Sequence, residues 1–527
     1  MNYTKGYHAR QVGSGEIQSE LRSIESEFLR ISRHLRSVFT PGETVTPWYD
    51  IRTFGASGGA DDAQAFRDAG ARANLNGGGI VLVPPGIWTT GCPDTISGVK
   101  VTVPIYDNVW YWGMPGSTIK FKDGISTALS PTPFSFLAAS TYKHDVGVFG
   151  IDFDFNGANN PTSNLMPHSI INFIGNAGKG EDITIAKCKG RNSAGCNMIL
   201  TSSQINHALH VMGKRWYILA NYFLDNGLSV DDFSAIWAWA DECFILDNVF
   251  EEAALPVIPS PPDVLVKCAY EIHGARSKAS RNIARNYTQL AWIAPNFLHD
   301  VAHVEISHET IENAASFGIR FYRSTGGLTE YPIYDVSIDH LQVTFGDDYP
   351  GDSGFVGVQL NTTLGIYDVH MSHLDIRRPS GGTQYAVGVM LACAGAGEAY
   401  DRIEIADSFL EGMTYGIFAI SGAGGGSIQC LRAHDNFCLN MRENVTFTHG
   451  VGIYGTFDAT LPCADWNLTD NQFRNDENPA GNANYGIYMT GSFDIARAQD
   501  NHFANMVSGN CDYGTAAITL KYGSDLP

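Results

Sequence analysis

The chain has 527 residues, of which 44% are hydrophobic and 17% are charged, so it is long and apolar enough to fold around a large core. Its formal net charge of −21 disfavours nucleic acid and anionic lipid as partners, because contacts to phosphate dominate such binding. No apolar run approaches the length of a membrane span, and the N-terminus has no signal-peptide core. We therefore expect neither nucleic-acid binding nor membrane insertion.

The first predicted element is a helix with a heptad pattern over residues 17–38. Its apolar residues follow in alternating steps of four and three, and they are Ile17, Leu21, Ile24, Phe28, Ile31, Leu35 and Val38. Branched residues fill one of the two core positions, which shifts the preference from a dimer to three or more strands. We expect a homotrimer; the alternative is a single amphipathic helix that packs on the rest of the chain. The residues before the helix are typical of an arm that becomes ordered on a partner.

The segment from Trp48 to Trp88 carries the most specific motifs of the chain. They are Phe54-Gly55-Ala56, Asp61-Asp62, Gly77-Gly78-Gly79 and Val83-Pro84-Pro85-Gly86. The two acids precede a predicted helix, "AQAFRDAGARAN", whose apolar face would cover the open end of the following fold. We therefore interpret Asp61 and Asp62 as structural rather than catalytic.

Beyond residue 140 the chain repeats one phrase, in which a short apolar strand is followed by an Asn-rich turn and a strand that opens with Gly. Examples are the turns "LANYFLDN" and "TDNQFRN" and the strands "VGVQL" and "YGIFAI". The repeats follow one another at roughly thirty to forty residues, as in solenoids. The predicted fold class is all-β, a right-handed parallel β-helix with two or three strands per coil. Asn suits a recurrent corner, because it tolerates the left-handed conformation and its amide can bond from coil to coil.

Ten cysteines occur without a CxxC pair or a zinc-ligand spacing. Most lie in apolar, strand-like runs, for example Cys243 and Cys268. We therefore expect buried free thiols, no metal and no cofactor, in a protein that folds in a reducing cytoplasm.

The motifs between Trp48 and Trp88 resemble the opening of the pectate-lyase-like β-helix superfamily, as found in bacteriophage tailspikes, except that Trp88 stands in place of Tyr. With the arm, the heptad helix and the long repeat, the resemblance implies a tailspike or tail-fibre protein. The expected parts are residues 1–42, the virion-anchoring arm and helix; 43–135, the capping helix and first coils; and 136–527, the body, with a Pro-rich insertion near 253–264.

This resemblance implies a component of the virion tail that is made in the host cytoplasm and attached to a tail or adaptor protein through residues 1–40. Such proteins bind, and often degrade, a bacterial surface polysaccharide, a capsule or a lipopolysaccharide O-chain, during adsorption. We expect a glycoside hydrolase, which needs two carboxylates. The alternatives are a polysaccharide lyase of the same fold, with His273 or Lys267 as its base, and a fibre that only binds glycan.

Three phrases in the middle of the body are similar to phrases of polygalacturonase-type glycosidases: "VDDFSAI", "YEIHGARS" and "FGIRFY". The similarity implies that Asp231 and Asp232 supply the acid and base and that His273 assists them; Glu251 is a further catalytic candidate. The candidates for substrate binding are Trp237, Trp239, Glu271, Arg276 and Arg320. The phrases depart from the family at Phe233, where Cys is usual, and at Tyr322, where Lys is usual.

Simpler interpretations compete with these roles. Acids in the repeated turn are more often turn formers than catalysts, and this set contains Asp225, Asp247, Asp435, Asp470 and Asp500. In a regular strand Asp231 and Asp232 point to opposite faces, so both face a groove only if a corner falls between them. Trp237 and Trp239 share one face, which lies either inside the cylinder or on a sugar-binding surface; the first is slightly favoured.

Overall fold

The computed structural model describes residues 47–162, 166–175, 177–202, 212–227, 233–254, 267–295, 298–322, 331–346, 354–362, 365–378, 385–393, 398–421, 426–442, 449–457, 464–476, 483–506, 509–512 and 517–520. The predicted heptad helix, the arm before it, Asp231 and Asp232 lie outside these residues, as does most of the Pro-rich insertion.

Helix α1 (Ala63–Leu75) packs against the first strands of the body, after a 3-10 turn at Ile51–Phe54. Its apolar face is buried through Ala65, Phe66 and Ala69, in agreement with the predicted capping role. The ring of Phe66 lies edge-on to the ring of Phe136, at a centroid distance of 5.6 Å. The helix thus shields the apolar end of the cylinder from water.

Asp61 and Asp62 hold the chain at the start of helix α1. A carboxylate oxygen of Asp61 accepts hydrogen bonds from the backbone N–H groups of Ala63 and Gly91, each 3.0 Å long. Asp62 accepts a bond of 2.9 Å from the N–H of Ser57. Both acids are therefore structural, as predicted, although Asp61 rather than the N-cap residue Asp62 bonds the first turn of the helix.

The body is a parallel β-helix of about 11 turns, in which successive coils contribute strands to three walls. The first and second walls form one sheet of 28 strands, and the third wall is a sheet of 15 strands. Strands pair in parallel from coil to coil, except that Asp94–Ile96 and Val99–Pro104 form an antiparallel pair at the start. The predicted fold class is confirmed.

The first wall contains Trp48–Asp50, Gly79–Val83, Val109–Gly113, Tyr142–Phe149, Lys179–Ala186, Gly213–Leu219, Ala240–Leu246, Lys278–Ser280, Ile366–Ser372, Ala399–Ala406, Ser427–His434, Trp466–Thr469, Ser492–Gln499 and Ala517–Leu520. The second contains Gly86–Thr90, Ser117–Phe121, Asp152–Asp154, Lys189–Arg191, Tyr222–Leu224, Val249–Glu251, Ile283–Arg285, Asp375–Arg377, Phe409–Glu411, Phe437–Leu439, Gln472–Arg474 and His502–Ala504. Two longer strands, Val301–Ala314 and Ile333–Phe345, run through both. The third wall contains Asp94–Ile96, Val99–Pro104, Phe134–Ala139, His168–Phe173, Asn197–Leu200, Phe233–Ala238, Lys267–Ile272, Gln289–Ile293, Phe317–Tyr322, Phe355–Asn361, Ala386–Cys393, Tyr415–Ser421, His449–Thr456, Ala483–Thr490 and Gly509–Asp512.

Asparagines stack at the corner between the first and second walls, called here the first corner. The chain turns there through a residue with positive φ, such as Asp247 at 59°, and the asparagine that follows bonds to its counterpart in the next coil. One run consists of Asn221, Asn248 and Asn282, and another of Asn436, Asn471 and Asn501, with side-chain N-to-O distances of 3.0 Å. The five aspartates discounted above all have positive φ, which confirms them as turn formers.

A column of glycines runs through the third wall. It consists of Gly318, Gly357, Gly388, Gly416 and Gly452. A Cβ atom on Gly388 would stand 2.5 Å from the carbonyl oxygen of Gly416 in the next coil, and the other members are as crowded. The residues that flank each Gly-Ile or Gly-Val pair lie together on the outer face. There the rings of Tyr415 and Phe418 are 4.9 Å apart.

The eight cysteines whose side chains the structure describes are free, and six of them are buried, which agrees with the expected thiols. Burial raises the pKa of the Cys188 thiol to about 12, so it stays protonated and unreactive. Among the described residues, no helix is long and apolar enough to cross a membrane.

Candidate functional site

The register of the third wall brings four side chains into one column on its outer face, those of Trp237, Glu271, Trp292 and Arg320. Trp237 pairs with Glu271, Glu271 with Trp292, and Trp292 with Arg320, each in the next coil. Strands in a sheet are about 4.8 Å apart, so these side chains are direct neighbours. Two residues further along their strands, Trp239 and His273 extend the same surface.

Glu271 and His273 form a buried pair within this column. The Glu271 carboxylate oxygen Oε2 lies 2.9 Å from His273 Nε2, and both side chains are less than 10% exposed. The hydroxyl of Ser234 donates to the other oxygen of Glu271. The indole N–H of Trp237 also points to His273 Nε2, at 3.0 Å. Nε2 can donate to Glu271 or accept from Trp237, so the position of one proton decides which bond forms.

The tryptophans Trp237 and Trp239 do share a face, as predicted, with ring centroids 6.1 Å apart. They pack with Leu200 and Met212 in a cluster separate from the core of the cylinder, whereas the intervening Ala238 belongs to that core. The interpretation that placed both rings inside the cylinder is therefore wrong. The alternation of the strand turns both rings away from the lumen, where they are nevertheless buried, with exposed fractions of 4% and 1%.

Arg320 continues the column and is held on three sides. Its guanidinium donates to Gln359 at 2.9 Å and lies over the ring of Tyr322 at 3.7 Å and over that of Phe317 at 4.6 Å. The indole N–H of Trp292 donates to the backbone oxygen of Tyr322 at 2.8 Å. A planar cation held in this way presents its N–H groups in a fixed direction, which suits it to bind the oxygen atoms of a hydroxyl or carboxylate group.

Two other predicted site residues lie outside the third wall. Glu251 is on the second wall, where it accepts a bond of 2.7 Å from the Tyr222 hydroxyl. Arg276 is half exposed and forms ion pairs with Asp241 at 3.4 Å and Glu242 at 3.5 Å. The register joins neither of them to the column around Glu271.

Glu252 and Lys267 form a second buried pair, at the beginning of the third-wall strand Lys267–Ile272. Their side chains are 2.8 Å apart, and both also bond the backbone of Asn226. Burial raises the pKa of Glu252, and the charge of Lys267 opposes this shift. The pair fixes a turn, and Lys267 is engaged rather than presented to a substrate as a base.

The sequence did not single out Ser234, Trp292 and Gln359 as members of the site. Trp292 and Gln359 join it through the register, because each pairs with a predicted residue one coil away, and Ser234 joins it through its bond to Glu271. A signal was available for Trp292, since it follows Trp237 and Glu271 at the same place in the repeated strand. Among the described residues of the column, Glu271 supplies the carboxylate.

Comparison with known proteins gives a result at the level of fold. No family model matches the chain, and no curated protein matches it. Among solved structures, the chain is similar to the tailspike protein of E. coli bacteriophage HK620 in complex with a pentasaccharide, with a TM-score of 0.65, 11% identity, and 89% of this chain and 80% of that chain covered. A mutant of that tailspike in complex with a hexasaccharide gives a TM-score of 0.64 at 11% identity, over 90% and 80% of the two chains. The predicted tailspike-like β-helix is thereby confirmed.

Proposed function

We propose that the chain is a phage tailspike that binds a bacterial surface polysaccharide on the outer face of the third wall and cleaves it by hydrolysis. The observation that carries this proposal is the column Trp237–Glu271–Trp292–Arg320, which combines a carboxylate, two indoles and a guanidinium. Indoles are favoured at binding surfaces, although Trp237 and Trp292 are only 4% and 7% exposed in the free chain. A carboxylate in reach of a histidine is suited to proton transfer. The structural relative with bound oligosaccharide has the same fold.

Glu271 is proposed as one of the two carboxylates of the reaction. Ser234 and His273 each contact one of its oxygens, which fixes the plane of the carboxylate. His273 Nε2 can donate a hydrogen bond to Glu271 or accept one from the indole N–H of Trp237, so the contacts provide a route for a proton between the two groups. Such a pair can hold a proton for the leaving sugar oxygen or remove one from water.

Asp232 or Asp231 is proposed as the second carboxylate. Asp232 is two residues before Ser234, so covalent geometry keeps their Cα atoms within about 7 Å of each other. Ser234 in turn bonds Glu271. In the sequence the two predicted acids directly precede the strand Phe233–Ala238, whose Ser234 contacts Glu271, which supports one of them as the second carboxylate.

The proposal includes the biological setting of such a protein. The chain acts as a homotrimer on the virion tail, attached through residues 1–40, and it meets the polysaccharide during adsorption. The acidic surface, with a net charge of −21, is compatible with neutral or weakly acidic glycans.

A panel of capsular and O-chain polysaccharides incubated with the full chain tests this function. We expect release of new reducing ends without the ultraviolet absorbance of unsaturated products. Glu271→Gln and Asp232→Asn should each lower the rate by about 10²–10⁴-fold and leave binding to the polysaccharide intact. Glu251→Gln, on the second wall, is the matched control and should keep the rate. Unsaturated products would show a lyase instead, and binding without any release on the whole panel would leave a binding fibre.

A further inference from the structure

Histidines replace the usual aspartates at the first corner in three successive coils. His308, His340 and His373 all have positive φ, between 52° and 56°, where Asp247, Arg281 and Asp407 stand in neighbouring coils. Their imidazole rings stack in parallel, with centroids 4.6 Å and 4.5 Å apart. The coil spacing and the shared backbone conformation hold the rings in register along the axis.

One carboxylate connects two of these rings. Asp339 Oδ2 lies 2.6 Å from His340 Nδ1, and Asp339 Oδ1 lies 2.8 Å from His373 Nδ1. The hydroxyl of Ser372 donates to Oδ1 at 2.8 Å and orients the carboxylate.

The geometry points to a site for a divalent transition-metal ion, which we propose is bound by Asp339, His340 and His373. One donor atom from each residue lies within 4.8 Å of the other two. Zinc takes imidazole nitrogen and carboxylate oxygen at about 2.0–2.2 Å, so four-coordinate donors stand roughly 3.4 Å apart. The two rings are about half exposed, and rotation of their side chains closes the difference.

The donor set determines which ions fit. Two imidazoles and one carboxylate favour Zn²⁺, Ni²⁺ or Cu²⁺, whereas Mg²⁺ and Ca²⁺ prefer oxygen donors only. The ion would replace the two hydrogen bonds between Nδ1 and the Asp339 carboxylate, because binding requires each ring to carry its proton on Nε2 and to present the Nδ1 lone pair. The ion would join the coil of Asp339 and His340 to the coil of His373, and it would clamp the first corner where the asparagine runs are interrupted.

Isothermal titration of the untagged full chain with ZnCl₂ tests the site. We expect one ion per chain at this corner, and substitutions His340→Asn or His373→Asn should weaken its binding by roughly 10- to 100-fold or more. Asn tolerates the positive φ of the corner, so these variants should fold. The matched control is His303→Asn, which removes another corner histidine with positive φ that contacts a single acid, Asp335. It should bind Zn²⁺ as the parent chain does.

A second variant and a second probe keep the test decisive if a corner substitution prevents folding. Asp339→Asn leaves both histidines in place and should also weaken Zn²⁺ binding, and Co²⁺ should give the visible absorption of a four-coordinate N/O site that this variant loses. Absence of Zn²⁺ binding, or equal affinity in the parent chain and in all three site variants, would overturn the proposal. Binding of Mg²⁺ with similar affinity would overturn the assigned donor set.

Discussion

The third wall has two regions that differ in what they place outside the cylinder. The region from Phe233 to Ile293 carries Glu271, His273 and three tryptophans, whereas the region from Phe355 to Thr490 carries an apolar and aromatic surface. That surface includes Val356, Val387, Tyr415, Phe418, Val451 and Tyr454. Both are built on the same pairing of one coil with the next, so the backbone is common and the outward side chains specialise.

The inward side of the same wall differs as well. The position taken by the glycine column in the second region is occupied by Ala235, Ala269 and Leu290 in the first. All three side chains are buried. The coils of the first region thus have room for a side chain that the coils of the second region lack. The polar side chains of the candidate site and the closely packed glycines therefore lie in different coils along the axis of the β-helix.

A methyl group in the glycine column is expected to lower the stability of the fold. Gly388→Ala places Cβ against the carbonyl oxygen of Gly416, and overpacking of this kind costs about 1–3 kcal/mol. We expect a clear fall in the midpoint of urea or thermal unfolding. The reverse change in the first region, Ala269→Gly, should cost only about 0.5–1 kcal/mol from strand flexibility. Equal losses in the two variants would contradict the proposed difference between the regions.

The next effect concerns Glu309, which ends the first run of corner asparagines by accepting a bond of 2.8 Å from Asn282. Burial raises the pKa of Glu309 to about 8. The folded chain therefore keeps a proton that the unfolded chain loses above its ordinary pKa, so stability should fall as the pH rises from about 4.5 to about 8. The slope from this group is about 1.4 kcal/mol per pH unit.

Glu309→Gln should remove this slope, because an amide oxygen still accepts the bond from Asn282. Unfolding midpoints measured at intervals across that pH range provide the check. The exposed Glu312, which pairs with Arg285 at 2.8 Å on the same strand, is the control, and Glu312→Gln should leave the slope unchanged. Parallel pH curves for the parent chain and Glu309→Gln would refute the assignment.

The smallest effect is expected from Trp237→Phe. Phenylalanine keeps an aromatic face but loses the N–H that points to His273 Nε2, a bond worth about 0.5–1.5 kcal/mol. Loss of this buried bond should therefore lower the midpoint of urea unfolding by a small amount. Tyr454→Phe, in the second region, should not move it. An equal change in both variants would show that the effect does not depend on the bond between Trp237 and His273.

The fold could be predicted because its signals are local and recur. The turn phrases contain the asparagines that stack, and the strand phrases contain the glycines that the packing requires. The motif around Asp61 and Asp62 likewise acts within a short stretch of chain. The interpretation of the two tryptophans was wrong because alternation fixes a common face without telling which face is outside.

The site could be predicted only in part, because its neighbours are a whole coil apart and coils differ in length. Trp237 pairs with Glu271 and Glu271 with Trp292, yet the two steps along the chain are unequal. No local sequence motif predicts that Ser234 contacts Glu271. The same reason hides the three donors at the first corner, since His373 reaches Asp339 from the following coil and zinc patterns assume donors that are close in sequence.

The first corner also bears on how long such a protein can be. Asn436, Asn471 and Asn501 occupy equivalent places, and each coil meets only the coil before it and the coil after it. A chain that joined Asp435 directly to Asn471 would still give every amide of this run a counterpart. The length of the β-helix can thus change by whole coils, and each coil adds about 4.8 Å while the cross-section stays the same.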